Sequence, residues 1–454
     1  MPHYDLVIVG TGSGNSVLDK RFAGQRVAIV EKGVFGGTCL NVGCIPTKMF
    51  VHTADLARSP AAAGKLGVDL DLDGVRWPDI RDRIFGRIDP IAAGGRSYRR
   101  EHQDNANVTV YETSARFTGE RELTLDTGET ITAAAIVLAA GGRPVVPDVE
   151  GLADVGFHTS DTIMRLDELP RRMVIIGGGY IGAEFAHVFS AFGVDVTILA
   201  RSGALLRQED ADVSARFTEL AGQRWDVRLN TVVHKAFTTD DGIQLDLGGD
   251  TLSTDLVLVA IGRVPNSDLL DVAAGGIDVT PTGHVVVDEY QRTTADGVWA
   301  LGDICSPFEL KHVANHEARI VQHNLLHPDA PKAADHRYVP HAVFTSPQVA
   351  SVGLTEEQLV DRGVRYVSST QDYAGIAYGW AMEDTTGFCK LLASPSGELL
   401  GAHLIGPQAA TLVQPLIQAM SFGLDARTMA TGQYWIHPAM PELVENALLN
   451  LPLD

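Results

Sequence analysis

The chain has 454 residues, which corresponds to roughly three domains of about 150 residues each. Hydrophobic residues make up 45% of the sequence and charged residues 20%, a composition that excludes a disordered chain. The net charge of −21 argues against a nucleic-acid-binding protein, because phosphate backbones attract basic surfaces. Four cysteines are too few for a secreted disulfide scaffold, and the sequence shows neither a signal peptide nor a run of about 18 apolar residues. We therefore expect a soluble cytoplasmic protein that binds neither nucleic acid nor a membrane.

A short apolar run that ends in glycines opens the chain, since residues 5–14 read DLVIVGTGSG. Such a run is typical of a buried parallel strand that leads through a helical segment to a second strand. Gly10 permits the tight turn, and Gly12 lets a pyrophosphate approach backbone N–H groups. The third glycine of the G-x-G-x-x-G pattern, which normally allows close packing of helix on strand, is replaced by Asn15.

Glu31 follows the second predicted strand, residues 26–30, about twenty residues after Gly10. A carboxylate there accepts hydrogen bonds from both hydroxyls of a ribose that carries no phosphate. The first turn is therefore predicted to bind an adenosine with a free 2′-OH.

Two cysteines, Cys39 and Cys44, lie within residues 36–48, which read GGTCLNVGCIPTK. Zinc would need two further ligands, and neither Cys305 nor Cys389 belongs to a second pair, so we expect no metal. Two interpretations remain, a structural pair of buried thiols and a redox disulfide. Cys305 and Cys389 themselves are expected in the core.

The surroundings of Cys44 favour the redox interpretation. A helix is predicted to start near Pro46, and its dipole would stabilise a thiolate at Cys44. Lys48 lies one helical turn further on and adds a positive charge.

A second strand and glycine turn occupy residues 173–182, MVIIGGGYIG, where Gly177, Gly179 and Gly182 complete the pattern. The strand that follows, residues 194–199, is succeeded by Ala200, where the first unit has an acidic residue. This is the βαβ unit of a dinucleotide-binding fold, present for the second time.

Two arginines, Arg201 and Arg207, follow this second unit. Guanidinium groups bind a 2′-phosphate, which a carboxylate would repel. The alternative is that both arginines are ordinary solvated surface residues. The second turn is predicted to bind NADPH.

Further strand runs at residues 251–260 and 297–303 end in glycines, and from Tyr338 the pattern changes to short alternating runs followed by helices. We predict an α/β fold with two Rossmann-like domains, the second inserted in the first, and an α+β C-terminal domain. The predicted domains are residues 1–145 (first nucleotide domain), 146–265 (second nucleotide domain), 266–335 (first domain resumed) and 336–454 (dimerisation domain).

The sequence GGTCLNVGCIPTK, taken with both glycine turns, resembles the glutathione-reductase type of flavoprotein disulfide reductase. The resemblance covers essentially the whole chain and includes Thr294 to Asp303, Ile261-Gly262-Arg263, and residues 437–442, HPAMPE. It implies FAD at the first turn and NADPH at the second, in a homodimer whose active site is shared between subunits.

The resemblance also implies which residues bind each cofactor. The residues expected to bind FAD are Gly10, Gly12, Ser13, Gly14, Asn15, Glu31, Thr38, Lys48, Gly302 and Asp303. The residues expected to bind NADPH are Gly177, Gly179, Tyr180, Ile181, Gly182, Glu184, Arg201, Arg207 and Gly262.

For the chemistry, the resemblance implies that Cys44 holds a thiolate against the flavin and that Cys39 is the exposed thiol that attacks the substrate. Lys48, paired with Glu184, is expected beside flavin N5. His437, oriented by Glu442, is expected to act as proton donor in the active site of the partner subunit.

Within the family, GTGSGN, GGTCLNVGCIPTKMF, HVANHEARIVQHN and WIHPAMPE are most similar to members that act on mycothione, the disulfide of mycothiol. The alternatives are a dihydrolipoamide dehydrogenase, a glutathione-disulfide reductase and, from a different class, a redox-sensing flavoprotein without turnover. A dihydrolipoamide dehydrogenase would be expected to carry an acidic residue in place of Ala200-Arg201.

Overall fold

Twenty-one strands form five sheets in the computed structural model, which describes residues 1–454. The strands, in chain order, are β1 (His3–Val9), β2 (Val27–Val30), β3 (Val108–Tyr111), β4 (Ala115–Gly119), β5 (Glu122–Leu125), β6 (Thr130–Leu138), β7 (Gly142–Pro144), β8 (Arg172–Ile176), β9 (Asp195–Leu199), β10 (Asp226–Arg228), β11 (Lys235–Thr239), β12 (Gly242–Asp246), β13 (Thr251–Thr254), β14 (Leu256–Val259), β15 (Arg263–Pro265), β16 (Val298–Ala300), β17 (His341–Val343), β18 (Gln348–Gly353), β19 (Val367–Asp372), β20 (Phe388–Ala393) and β21 (Leu399–Gly406).

Thirteen α-helices pack on these sheets. They are α1 (Gly37–Asn41), α2 (Cys44–Ala57), α3 (Ser59–Ala63), α4 (Trp77–Glu101), α5 (Leu152–Val155), α6 (Tyr180–Ala191), α7 (Ala211–Gly222), α8 (Lys311–Leu326), α9 (Glu356–Asp361), α10 (Ala377–Met382), α11 (Ala409–Phe422), α12 (Ala426–Thr431) and α13 (Glu442–Leu449). None of them combines the length and the hydropathy that a membrane span requires.

The first sheet contains five parallel strands in the order β3-β2-β1-β6-β16, and an antiparallel hairpin, β4-β5, extends it from β6. The chain moves from β1 outward in both directions, so a topological switch point lies at the carboxyl end of β1. Ligands of open α/β sheets bind in the crevice at such a point.

The second sheet has four parallel strands in the order β10-β9-β8-β14, and the antiparallel sheet β11-β12-β13 follows it in the chain. Its switch point lies at the carboxyl end of β8. The predicted α/β class with two Rossmann-like units is confirmed, and the strands that follow the glycine turns start one residue later than predicted, at Val27 and Asp195.

An antiparallel ribbon of β7 and β15 connects the two nucleotide domains. It lies beside the predicted boundaries at residues 145 and 265. The C-terminal domain is an antiparallel sheet in the order β17-β18-β21-β20-β19, covered by α11, α12 and α13.

One hydrophobic core joins all three domains around α2. Phe50 of α2 packs in the same cluster as Phe185 and Phe189 of α6 and Val349 of β18. Because burial of such side chains contributes about 1.5–3 kcal/mol each, the two helices are held firmly against one another. The helix that begins at Cys44 is therefore fixed relative to the second nucleotide domain.

Candidate active site

Cys39 lies in α1 and Cys44 is the first residue of α2, so that the helix begins two residues before the predicted start. Gly43 lies between the helices, and a Cβ there would come within 2.9 Å of the Thr38 carbonyl oxygen and 3.3 Å of Cys39 Cα. The missing side chain therefore allows the two cysteine segments to approach closely. Both cysteines carry free thiols.

The two thiols differ in acidity. The pKa of Cys44 is lowered to about 7, mainly by a hydrogen bond from the Cys39 thiol. The backbone N–H of Cys44 and the charge of Lys48 act in the same direction, and burial opposes them. The same hydrogen bond and burial raise the pKa of Cys39 well above its usual value. Cys44 is therefore the thiolate of the pair, as its position at a helix N-terminus predicts.

Lys48 and Glu184 form an ion pair between α2 and α6, with 2.6 Å between Lys48 Nζ and Glu184 Oε1. The backbone N–H of Phe344 donates to the same carboxylate oxygen at 2.8 Å, and Lys48 Nζ lies 3.9 Å from the centre of the Phe344 ring. Burial lowers the pKa of Lys48, and the charge of Glu184 opposes this effect. The structure thus brings these two predicted residues together; Phe344 was not predicted from the sequence.

The first glycine turn is shaped by close contacts between backbones. Gly10 has φ +104°, and a Cβ there would lie 2.3 Å from the carbonyl oxygen of Ala139. Glu31 binds the turn directly, because Glu31 Oε2 accepts hydrogen bonds from Thr11 N–H (2.8 Å) and Thr11 Oγ1 (2.6 Å). Gly12 packs against Gly37 of the redox segment, with 2.7 Å between the Gly12 Cα and a Cβ built on Gly37. Glycines at these positions join the nucleotide turn to the cysteine helices.

The structure explains why Asn15 can replace the third glycine of the pattern. The close approach to the sheet occurs one residue earlier, at Gly14, where a Cβ would lie 2.6 Å from Ala139 Cβ. After the turn the chain forms a 3-10 helix, Ser13–Val17, instead of the α-helical segment that was predicted. Asn15 Oδ1 accepts a hydrogen bond of 2.7 Å from Nε of Arg99, a buried residue of α4. Arg99 thereby supports the turn from behind, which the sequence did not reveal.

The remaining residues predicted for FAD surround this turn. Ser13 Oγ accepts a hydrogen bond of 2.6 Å from Lys311 Nζ at the start of α8 and donates to Asn315 Oδ1 at 3.2 Å. Thr38 lies in α1, near the turn. Lys311 and Asn315 were missed because nothing in the sequence near α8 marks a phosphate site.

Gly302 and Asp303 form a 3-10 turn after β16. Burial raises the pKa of the Asp303 carboxyl group, and this side chain accepts no hydrogen bond from another residue. A half-buried carboxylate that accepts no hydrogen bond from another residue fits a ligand that brings its own hydroxyl groups, as the ribitol of FAD does. Together with the glycine turn and Glu31, the residues present fit FAD.

The second glycine turn follows the expected pattern. Gly177 has φ +133°, and a Cβ there would lie 2.1 Å from the Ala260 carbonyl oxygen, while a Cβ on Gly182 would lie 2.6 Å from the Gly177 carbonyl oxygen. Gly179 faces open space before α6, which starts with the exposed Tyr180 and the half-buried Ile181. Gly262 lies beyond β14 with φ +127°. The turn leaves room for a pyrophosphate at the N-terminus of α6.

Arg201 and Arg207 are both exposed and lie in the loop between β9 and α7. Neither forms an ion pair or a side-chain hydrogen bond, although acidic side chains are frequent in this chain. Two unpaired guanidinium groups beside a dinucleotide turn fit a ligand with an added phosphate.

His437 and Glu442 form a short hydrogen bond, with 2.5 Å between His437 Nδ1 and Glu442 Oε1, and Ala439 N–H donates to Glu442 Oε2 at 3.2 Å. His437 is 70% exposed, whereas Glu442 is largely covered. Neither residue of this pair forms a hydrogen bond or an ion pair with Cys39 or Cys44. Within one chain the structure does not bring His437 to the cysteines.

Cys305 and Cys389 lie in the core, as expected, and burial raises the pKa of both thiols.

Comparison with known families decides the identity of the fold. A profile described as pyridine nucleotide-disulphide oxidoreductase matches residues 4–318, and the profile of the corresponding dimerisation domain matches residues 339–448. The chain belongs to the pyridine nucleotide-disulphide oxidoreductase family. Members of this family use FAD and a nicotinamide nucleotide, and the two dinucleotide turns with the cysteine pair correspond to that chemistry.

Several family members are similar to this oxidoreductase over nearly its whole length. A mycothione reductase of Mycobacterium tuberculosis is 55% identical and covers 99% of this chain and 100% of its own. A dihydrolipoyl dehydrogenase of Corynebacterium glutamicum is 32% identical, covering 98% of this chain and 97% of its own. The solved structure of the HOCl-induced flavoprotein disulfide reductase RclA from Escherichia coli superposes with a TM-score of 0.86 at 30% identity, covering 98% of this chain and 100% of that one.

Proposed function

We propose that this oxidoreductase uses NADPH and bound FAD to reduce mycothione to two molecules of mycothiol through the Cys39–Cys44 pair. The single observation that carries the choice of substrate is the 55% identity to a mycothione reductase over 99% of the chain. The choice of NADPH rests on the unpaired Arg201 and Arg207 beside the second glycine turn.

Bound FAD would supply the two-electron transfer that connects NADPH to the Cys39–Cys44 disulfide. Asp303 and Glu31 would hold its ribitol and adenosine hydroxyls, and Lys48, paired with Glu184, keeps a positive charge beside the cysteine helix. Reduction leaves a dithiol in which Cys44 carries the negative charge, since its pKa is about 7.

Disulfide exchange then proceeds in two steps. Cys39 gives its proton to His437 and attacks one sulfur of mycothione, a mixed disulfide forms, and His437 passes that proton to the first mycothiol as it leaves. Glu442 holds the His437 ring through Nδ1, which leaves Nε2 free for this proton transfer. The Cys44 thiolate then attacks the Cys39 sulfur, which restores the disulfide and expels the second mycothiol as a thiolate that takes a proton from solvent.

We propose further that the His437 of one subunit serves the cysteines of the other. His437 lies far from Cys39 in sequence and forms no hydrogen bond with it within one chain, and its neighbours Tyr434 and Ile436 are fully or largely exposed. Large exposed apolar side chains beside a catalytic pair fit a surface that a second copy covers. The domain that carries them is the family's dimerisation domain.

The experiment that tests the function is NADPH oxidation by the FAD-loaded enzyme with mycothione, glutathione disulfide and lipoamide in parallel. The expected result is sustained turnover with mycothione and a much lower kcat/KM with the other two. Equal or better turnover with lipoamide and NADH would identify a dihydrolipoamide dehydrogenase. Oxidation of one equivalent of NADPH without turnover would identify a sensor.

A further inference from the structure

The loop between β9 and α7, residues 200–210, carries both arginines and is called here the arginine loop. On one side it is attached to the second glycine turn, because Leu206 N–H donates to the Gly178 carbonyl oxygen at 2.8 Å. Leu205 is buried beside Gly178, where it lies 3.0 Å from a Cβ built on that glycine. The arginine loop is therefore held in a fixed position relative to the glycine turn that is proposed to hold NADPH.

On its other side the arginine loop is attached to the C-terminal domain. Glu209, two residues after Arg207, is 8% exposed. Its Oε1 lies 2.7 Å from Nε2 of His341 in β17, and its Oε2 accepts a hydrogen bond of 2.7 Å from Oγ of Ser351 in β18. Both carboxylate oxygens are thus bonded to a domain that contributes no glycine turn.

Asp210 makes a second connection to the same domain. It is fully buried, and its Oδ1 accepts a hydrogen bond of 2.9 Å from Nζ of Lys390 in β20. Lys390 is 3% exposed at its side chain and also contacts Asp212 at 2.7 Å and Glu356 at 2.6 Å. A buried carboxylate is stable only when it is paired and hydrogen-bonded, so these contacts fix the end of the arginine loop.

Pairing of these carboxylates also leaves Arg207 free. Arg207 lies two residues before Glu209 and three before Asp210. A carboxylate of this pair that had no other partner would be available for an ion pair with Arg207. His341, Ser351 and Lys390 bond to these two carboxylates, and Arg207 forms no ion pair with either. Lys390 also offsets part of the negative charge at this loop, which would otherwise repel a phosphate more strongly.

We infer that the C-terminal domain, through Ser351, His341 and Lys390, positions the arginine loop and so sets the preference for NADPH over NADH. This inference rests on the proposed function, in which Arg201 and Arg207 bind the 2′-phosphate. Ser351, His341 and Lys390 are positioning residues, since they act on the nucleotide only through Glu209 and Asp210.

The test measures KM and kcat for NADPH and NADH on the FAD-loaded enzyme. Ser351→Ala removes one hydrogen bond to Glu209 and should raise KM for NADPH about 3- to 30-fold, with kcat and KM for NADH within about twofold. Lys390→Met should act in the same direction and more strongly. Asp212→Asn is the matched control, because it changes the exposed partner of Lys390 and leaves Glu209 and Asp210 intact.

A double-mutant cycle separates this inference from the proposed function. Arg207→Ala alone should raise KM for NADPH, and in the background of Arg201→Ala with Arg207→Ala, Ser351→Ala should add less than about twofold. If Arg207→Ala leaves the preference for NADPH over NADH unchanged, the proposal that Arg207 binds the 2′-phosphate is wrong. If Arg207→Ala raises KM for NADPH, but Ser351→Ala changes KM for NADPH and KM for NADH equally, or changes neither, the positioning inference is wrong. Should Lys390→Met fail to fold, Ser351→Ala decides alone, because it removes only a hydroxyl group.

Discussion

The Cys39 and Cys44 thiols are chemically unequal although only four residues separate them in the sequence. Cys44 begins a helix and accepts a hydrogen bond from Cys39, whereas Cys39 loses acidity by donating it. The reduced, FAD-loaded enzyme should show a long-wavelength absorbance band from the Cys44 thiolate beside the flavin, and the band should grow as pH rises through about 7. Cys44→Ser should abolish the band, and Cys39→Ser should retain it because serine still donates a hydrogen bond.

Cys39→Ala is the matched control for that prediction. It removes the hydrogen bond that lowers the pKa of Cys44 most, so the band should need a higher pH to develop. A band that persists in Cys44→Ser would show that the roles of the two cysteines are reversed.

Arg201 and Arg207 are the residues through which the nucleotide preference should be measurable. Replacing both by neutral residues should raise KM for NADPH and leave KM for NADH nearly unchanged, since only NADPH carries the 2′-phosphate. Each lost hydrogen bond between charged groups contributes about 1.5–3 kcal/mol, so one such loss corresponds to about 10- to 150-fold. Steady-state kinetics with both nucleotides gives the answer, and equal losses with NADPH and NADH would contradict it.

At the scale of elements, the first glycine turn depends on helix α4, which contributes no residue to the predicted motif. The buried Arg99 donates to Asn15 Oδ1 at 2.7 Å and to the Leu18 carbonyl oxygen at 3.1 Å. Asn15→Gly, which creates the usual third glycine, should therefore destabilise the protein by about 1–3 kcal/mol, because a buried cation loses a partner. The expected result is a lower Tm and faster FAD release.

Asn15→Asp is the control, because a carboxylate keeps the acceptor for Arg99. It should retain the Tm of the unmodified protein to within a few degrees. If Asn15→Gly proves as stable as Asn15→Asp, the contact with Arg99 does not support the turn.

At the scale of the whole molecule, each chain holds half of the proposed active site. His437→Ala should slow mycothione turnover by about 10²–10⁴-fold, the usual contribution of a positioned acid, and leave reduction of the flavin by NADPH nearly unchanged. Mixing Cys39→Ser and His437→Ala chains should restore part of the activity, since a heterodimer contains one site with both groups intact. Verified heterodimers as inactive as their parents would exclude a shared site.

Much of the site could be predicted because its motifs are short and resemble those of a known family. The ion pair of Lys48 with Glu184 and the contact of His437 with Glu442 are found where family resemblance implies them. The sequence did not indicate that Gly14 makes the close approach to the sheet, because the identity of its neighbour, Ala139, follows only from the pairing of β1 with β6.

The sequence by itself determined the two dinucleotide turns, the cysteine helix and the order of the domains. These features depend on backbone conformation and hydrophobic periodicity over a few tens of residues, which glycine, proline and β-branched residues specify directly. The tertiary structure alone decided which distant side chains support them. Arg99 meets Asn15 across 84 residues, and Lys390 meets Asp210 across 180. A buried charge is stable only when it is paired, and its partner is the side chain that the packing of the domains brings next to it. No local sequence pattern specifies that partner.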